Sequence, residues 1–345
     1  MGHNIRNALA VILCTIIFTI HIPQVSADTK DFPSLPAHSQ KSTEDKNKKS
    51  PYDYTLVWMT DTQYYAKNYP YIYLNMVEWI ANNKEKLNIP YVFHTGDIVN
   101  TWNDEEQWQH ANKNMKVLES AKVPYGILAG NHDIDPNNNG YSQFSKYFGS
   151  ARFERNSYYG DSYKDNRGHY DLINVKGNEF IMIYMGWGIG EKEVEWMKGI
   201  VEKYPDRIAF IGLHDYLTGS GKRSRIGQLV YDQVIRPNKN VAAILSGHYY
   251  GSETLVDHID DDGDGKPDRK IYQMLANYQS GPEGGQGYLR LLQVKQKENK
   301  IHVKTYSPYL NGYNFYDNEK YPGKDEFYME IPLEVKKHKF RWTSD

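Results

Sequence analysis

Five short polar motifs hold the residues that can bind a metal or move a proton. They are Asp61-Thr62-Gln63, Gly96-Asp97, Gly130-Asn131-His132-Asp133, His214 and Gly247-His248-Tyr249-Tyr250. Together they offer carboxylates, an asparagine amide and imidazoles, a ligand set for ions of the Mn, Fe or Zn kind. The only cysteine, Cys14, lies in an N-terminal apolar run, so thiolate ligation and disulfides are excluded from the body of the chain. Taken singly, Gly-Asp and Asn-His occur in many turns, and a lone His214 reads as a core histidine. Their order, each after an apolar run, is what points to a site.

A second acidic stretch runs from Asp260 to Asp268. Asp260, Asp262, Asp264 and Asp268 fall at positions 1, 3, 5 and 9 of an EF-hand-like loop, with Gly265 at the sharp turn. Position 12 is Ile271 and the flanks read as strands, so this is no EF-hand. It reads either as a weak Ca²⁺ turn joining two strands or as a solvated acidic hairpin. Arg223 and Arg225 read either as a grip on a phosphate oxygen or as a solvated basic loop. His94 is a substrate contact or a packing residue. Asn100 is a candidate for orienting substrate, and Asn277-Tyr278-Gln279 a candidate pocket lining. Gly284-Gly285-Gln286-Gly287 lacks the lysine of a nucleotide loop and reads as a turn. The 30 tyrosines suit stacking on sugars or bases, or simply a Tyr-rich surface, the plainer reading.

The elements that must carry these motifs follow from periodicity. Strands are predicted at Tyr54–Met59, Tyr91–His94, Tyr125–Ala129, Phe180–Met185, Ile208–Leu213 and Val241–Ser246. Helices are predicted around Ile72, Met76 and Ile80, around Trp108 to Leu118, over Val194–Tyr204 and over Ile226–Ile235. The alternation implies an α/β fold with largely parallel central strands, whose carboxyl ends share one crevice. After Ser246 four strand-like runs follow without helices (Glu253–Asp257, Ile271–Leu275, Tyr288–Val294 and Ile301–Tyr306), read as antiparallel additions.

Arg6, the apolar run Ala8–Ile20 and Val25-Ser26-Ala27 have the layout of a signal peptide over residues 1–27, cleaved after Ala27. Residues 28–50 read as a polar tether, 51–312 as the folded domain and 313–345 as an extension of uncertain role. A secreted or cell-surface protein is expected. The net charge of −2 gives no general attraction for nucleic acid or an anionic membrane, and no stable partner of either kind is expected.

The motif order over Tyr54 to His248 resembles the calcineurin-like metallophosphoesterase superfamily, which includes purple acid phosphatases. The resemblance implies a four-layer α/β/β/α sandwich with two metals at its top. It implies that Asp97 bridges both ions, that Asp61 serves the first, and that Asn131, His214 and His248 serve the second. His132 would be the proton donor, with Asp133 orienting its ring. The first motif departs from the usual Asp-x-His, with Gln63 in the His place. The last departs from Gly-His-x-His, with Tyr250 in place of the second His. The Gln63 carbonyl and the Tyr250 phenolate are then the candidate first-metal ligands, an oxygen-rich shell that favours Mn or Fe over Zn. The implied activity is hydrolysis of phosphate mono- or diesters by a two-metal-activated hydroxide. The alternative is a non-catalytic surface protein that keeps the scaffold for binding.

Overall fold

The computed structural model describes residues 50–333. The expected signal peptide, Cys14 and most of the tether lie outside the described residues, as does the end of the C-terminal stretch.

The chain opens with three parallel strands, β1 (Tyr54–Met59), β2 (Val92–His94) and β3 (Tyr125–Ile127), with α1 (Gln63–Asn68), α2 (Pro70–Leu87) and α3 (Glu105–Ser120) between them. Pro70 begins α2 with a preset φ, and left-handed Asn88 ends it. Asp104 caps α3 by accepting from the Glu106 and Gln107 amides. After α4 (Ser142–Phe148) come β4 (Tyr159–Tyr163), β5 (Gly168–Val175) and β6 (Asn178–Met185). Next are α5 (Glu191–Lys203), β7 (Ile208–Leu213), α6 (Arg225–Val230) with a π turn over Tyr231–Ile235, β8 (Val241–Ser246), β9 (Gly251–Ile259) and β10 (Arg269–Asn277). These seven strands make the second sheet, in the order β4-β5-β6-β7-β8-β10-β9. The chain then returns to the first sheet with β11 (Leu289–Lys295), β12 (Lys300–Ser307), β13 (Gly312–Tyr313) and β14 (Glu326–Glu330).

Alternation along the strands builds three apolar interiors, and hence four layers. In β1, Val57 and Met59 turn outward against Ile72, Met76 and Ile80 of α2 and Trp108 of α3. Tyr54, Leu56 and Trp58 turn inward against Phe180, Met182 and Phe210 of the second sheet. Ile181, Ile183 and Ile211 face Val194, Met197 and Val201 of α5 on the far side. This is the α/β/β/α sandwich the sequence led us to expect.

One expectation about topology is corrected. The run Ile271–Leu275 is not an antiparallel addition to its inner neighbour, because β10 lies parallel to β8. After the Gly247-His248 turn the chain runs down as β9, one place out. The acidic turn then returns β10 into the gap, antiparallel to β9. The stretch beyond Gly312 supplies β13 and β14, and β14 pairs along β12 from Lys304↔Glu326 to Lys300↔Glu330. Among the described residues no helix is long and apolar enough to cross a membrane.

Candidate metal centre

Each motif follows the carboxyl end of a parallel strand: Asp61 after β1, Asp97 after β2, Asn131 after β3, His214 after β7 and His248 after β8. Both sheets present these ends on the same side, so the motifs meet. The Asn131 Oδ1 lies 3.1 Å from His214 Nε2 and 2.8 Å from His248 Nδ1. Asp97 Oδ1 lies 3.2 Å from His214 Nε2. Ligands about 2.1 Å from one ion at right angles would stand about 3 Å apart, so these four donors fit a single cation. Asp97, His214 and His248 form one candidate metal-binding cluster, and exposed Asp260, Asp262 and Asp268 form a second.

Beside the first cluster lie Asp61, Gln63 and the other oxygen of Asp97. The Gln63 Nε2 donates to Asp97 Oδ2 at 3.1 Å, while its buried Oε1 has no hydrogen-bond partner. A buried carbonyl oxygen left unpaired is costly unless a donor or cation meets it, so Gln63 fits a ligand role. Close approach needs the motif glycines. A Cβ on Gly247 would collide with the Asp61 carboxylate, and one on Gly130 with Asp97 Oδ1. Three of the acidic and imidazole groups also sit on left-handed backbone: Asp61 at φ 47°, Asp97 at 52° and His248 at 71°. Such conformations concentrate where surrounding structure over-determines them, as at functional sites.

The electrostatics call for positive charge. Burial pushes the Asp61 carboxyl up to about 7, with His214 opposing and Asp97 adding to the rise. Burial also acts to raise Asp97, but the charge of and hydrogen bond from His214 hold it below the usual carboxylate range. Burial acts to lower His214, yet Asp97 and Asp61 carry it up to about 10. The carboxylates thus hold a proton on His214, and a cation among them would take that proton's place.

Thr95 ties the two halves together. Its carbonyl accepts from His214 Nδ1 at 2.8 Å, which fixes the tautomer that leaves Nε2 for a metal. Its hydroxyl accepts from Trp58 Nε1 at 3.0 Å and donates to Thr60 Oγ1 at 2.8 Å. Thr60 in turn donates to Asp61 Oδ2. Thr95→Val keeps the carbonyl and removes the hydroxyl. It is expected to weaken metal binding at the Asp61 side about 10–100-fold while His214 remains oriented. Calorimetric titration of the metal-free protein with Mn²⁺ checks this, and restoration by Thr95→Ser should accompany it.

The His132 ring, expected to be the proton donor, is held differently from expectation. Asp133 does not orient the His132 ring. Its Oδ1 accepts from the Ile98 and Val99 amides at 2.8 and 2.9 Å and its Oδ2 from Gly130 N at 2.7 Å, so it clasps the two ligand loops together. The His132 ring is held instead by the Asn100 carbonyl, 2.9 Å from Nδ1, and its amide donates to Asp97 Oδ1 at 3.0 Å. Asn100 therefore acts through its backbone.

Tyr250 is 57% exposed, and its phenol lies beside that of Tyr64. Interaction with Tyr64, then burial, raises its pKa. Arg223 is committed elsewhere: it pairs with Asp257, donates to Gln273 Oε1 at 2.7 Å and covers the Tyr231 ring. Arg225 is exposed at the start of α6. His94 is buried, bonded to Thr62 Oγ1 at 3.0 Å and to the Gly96 amide, and burial lowers its pKa to about 3, so it is a packing residue. Asn277 holds the last ligand loop through the His248 carbonyl. Sequence reasoning missed Trp187, whose ring lies 5.0 Å from that of His248 and 5.9 Å from that of His214. A cleft of about 910 Å³ opens at the amino ends of β6 to β8, lined by Asn178, Arg207 and Asn240 among others. It contains none of the motif residues.

The acidic turn joins β9 to β10. Asp260 accepts from the Gly263 and Gly265 amides at 2.6 and 2.8 Å, and Asp268 from Asp261 N at 2.7 Å. Asp264 accepts from Lys266 N at 2.8 Å and stands outside the three-carboxylate cluster.

Comparison with known proteins agrees with this geometry. The family model described as calcineurin-like phosphoesterase matches residues 54–250, more than half of the chain. A protein of Bacillus subtilis (strain 168) named "Uncharacterized protein YvnB" is 54% identical over 280 residues, 81% of this chain. The chain spans about a fifth of that relative, 22% of its length. Among solved structures, the purple acid phosphatase PPD1 from yellow lupin (Lupinus luteus) seeds is similar with a TM-score of 0.53 at 12% identity. The match covers 81% of this chain and 54% of that one. At that identity the likeness speaks to the fold.

Proposed function

The chain belongs to the calcineurin-like phosphoesterase family, and from that premise we propose that it is a metal-dependent hydrolase of phosphate mono- or diesters. The observation that carries this reading is the convergence of Asn131 Oδ1, His214 Nε2, His248 Nδ1 and Asp97 Oδ1 within 3.2 Å contacts. Asp97 would be shared between two ions, Asp61 and Gln63 would help hold the first, and Asn131, His214 and His248 would hold the second. Two bound ions supply charge neutralisation at the phosphoryl oxygens and a water of lowered pKa. The oxygen-rich first position favours Mn or Fe.

The residues do the remainder. His132, in its imidazolium form, would donate Nδ1–H to the Asn100 carbonyl and pass its Nε2 proton to the leaving oxygen, ending as the neutral ring. Asp133 fixes the spacing of the Asp97 and Asn131 loops. Metal analysis combined with turnover of nitrophenyl phosphate esters in Mn²⁺ tests the proposal. A protein that binds metal and hydrolyses none of them is the surface-binding scaffold instead. We place its action outside the cytoplasm, as the N-terminal segment leads one to expect, and a mature N-terminus at Asp28 would bear on that.

Two finer assignments are open to direct measurement. Tyr250→Phe is expected to leave metal stoichiometry and Mn²⁺ affinity unchanged, because the phenol is exposed beside Tyr64. A loss of first-site affinity or of a visible charge-transfer band would instead make it a ligand. Asp260, Asp262 and Asp268, with Asp264 nearby, form the proposed calcium turn. Millimolar Ca²⁺ should raise the melting temperature of the wild type but not of Asp260→Asn, in keeping with weak extracellular sites of about 10⁻⁴–10⁻³ M.

A further inference from the structure

Trp187 belongs to no motif, yet the fold builds a frame to hold it. It lies just beyond the end of β6. Its amide donates to the Ala129 carbonyl at 2.9 Å, and its carbonyl accepts from the Tyr141 hydroxyl at 2.7 Å. A Cβ on the preceding Gly186 would come within 2.6 Å of that same hydroxyl. On either side, the Gly186 amide donates to the Arg167 carbonyl at 2.9 Å and the Arg167 guanidinium to the Gly188 carbonyl at 2.7 Å. The end of β6 in the second sheet is thereby tied to the residue just ahead of Gly130-Asn131 in the first. With its backbone pinned, the half-buried indole stands against two imidazoles at once. Its ring centroid is 5.0 Å from that of His248, at 50°, and 5.9 Å from that of His214, at 67°.

The two imidazoles are oriented by different means. His214 donates Nδ1–H to the Thr95 carbonyl, the common way a ligating histidine is fixed. The His248 ring makes a single hydrogen bond among the described residues, and it is on Nδ1, facing Asn131 Oδ1, the side where a metal would bind. What holds this ring instead is aromatic contact, from Trp187 and from Tyr249, whose ring lies 4.6 Å away at 78°. Tilted and edge-on ring contacts are directional, so they restrict rotation of the imidazole. We propose that Trp187 is a positioning residue for the second metal position: with Tyr249 it takes the place of the missing hydrogen-bond partner and keeps His248 Nδ1 aimed at the ion. This rests on the reading of Asn131, His214 and His248 as metal ligands.

The test is calorimetric titration of the metal-free protein with Mn²⁺. The binding step that His248→Ala removes identifies the second position. Trp187→Leu keeps apolar bulk and removes the ring. It is expected to weaken that step about 10–100-fold, the loss typical when a ligand's orienting partner is removed, and to leave the other step unchanged. Trp187→Phe keeps a ring and should restore most of the affinity. Tryptophan emission gives a reading independent of turnover: Mn²⁺ at the second position should quench part of the wild-type emission, and that part should be missing in Trp187→Phe. If Trp187→Leu does not fold, Tyr249→Leu removes the other ring and should weaken the same step. Equal weakening of both steps, an unaltered second step, or equal losses in Trp187→Phe and Trp187→Leu would overturn the positioning role. A wild type that binds no Mn²⁺, or loses no step on His248→Ala, would overturn the ligand assignment itself, and the role of Trp187 with it.

Discussion

Asp97→Asn is expected to abolish hydrolysis and to strip metal from the centre. The side chain faces both halves of the site: Oδ1 is 3.2 Å from His214 Nε2 and Oδ2 accepts from Gln63 at 3.1 Å. Asparagine keeps the size but replaces one anionic oxygen by an NH₂ group, whose hydrogens would point at a cation. It also removes the charge that draws His214 into position. Loss of several kcal/mol of charge stabilisation corresponds to roughly 10³-fold or more in rate. Metal content by elemental analysis should drop in parallel while the melting profile shows a folded protein. A two-metal, fully active Asp97→Asn protein would remove Asp97 from the bridging position.

His132→Ala should behave in the opposite way: metal retained, chemistry selectively lost. Its ring bonds to the Asn100 carbonyl, and its contact with Asp97 is through the backbone amide, which alanine keeps. Esters of alkyl alcohols need a proton on the departing oxygen, so their turnover should fall about 10²–10⁴-fold. Nitrophenolate leaves without that help, and its ester should be hydrolysed nearly as before. Equal losses on the two kinds of ester would rule out a general acid at this position and point to a structural role for the ring.

The α/β alternation and the placing of the candidate ligand loops at strand ends were legible in the sequence because each motif directly follows an apolar run. Strand ends and polar residues are both one-dimensional signals. What escaped reading depends on side-chain direction or on distant pairing. Asp133 is adjacent to His132, yet the 3₁₀ turn over Asn131–Asp133 sends its carboxylate back to the backbone of residues 98 and 99. Arg223 looked available for phosphate, and only the fold brings it to Asp257. The hydroxyls of Thr60 and Thr95 carry no motif, since threonine is an ordinary strand-end residue. In β5 the buried pair His169 and Asp171 breaks the apolar alternation, and in β14 Glu326 and Glu330 mask a strand whose Met329 is fully buried. The position of β10 between β8 and β9 follows from a skipped place in the sheet, which no local pattern records.

The left-handed backbone at Asp61, Asp97 and His248 sets stability and activity against each other at the same three residues. Side chains held there cost about 1–2 kcal/mol each relative to glycine, and two of the three are buried carboxylates as well. Selection of variants for heat resistance alone, in the absence of metal, would therefore favour glycine at these positions and produce a sturdier but inert protein. Only selection that includes the bound ion retains the aspartates and the histidine. Stabilising this fold by random mutagenesis thus calls for a screen on metal retention, with the melting temperature as the second criterion.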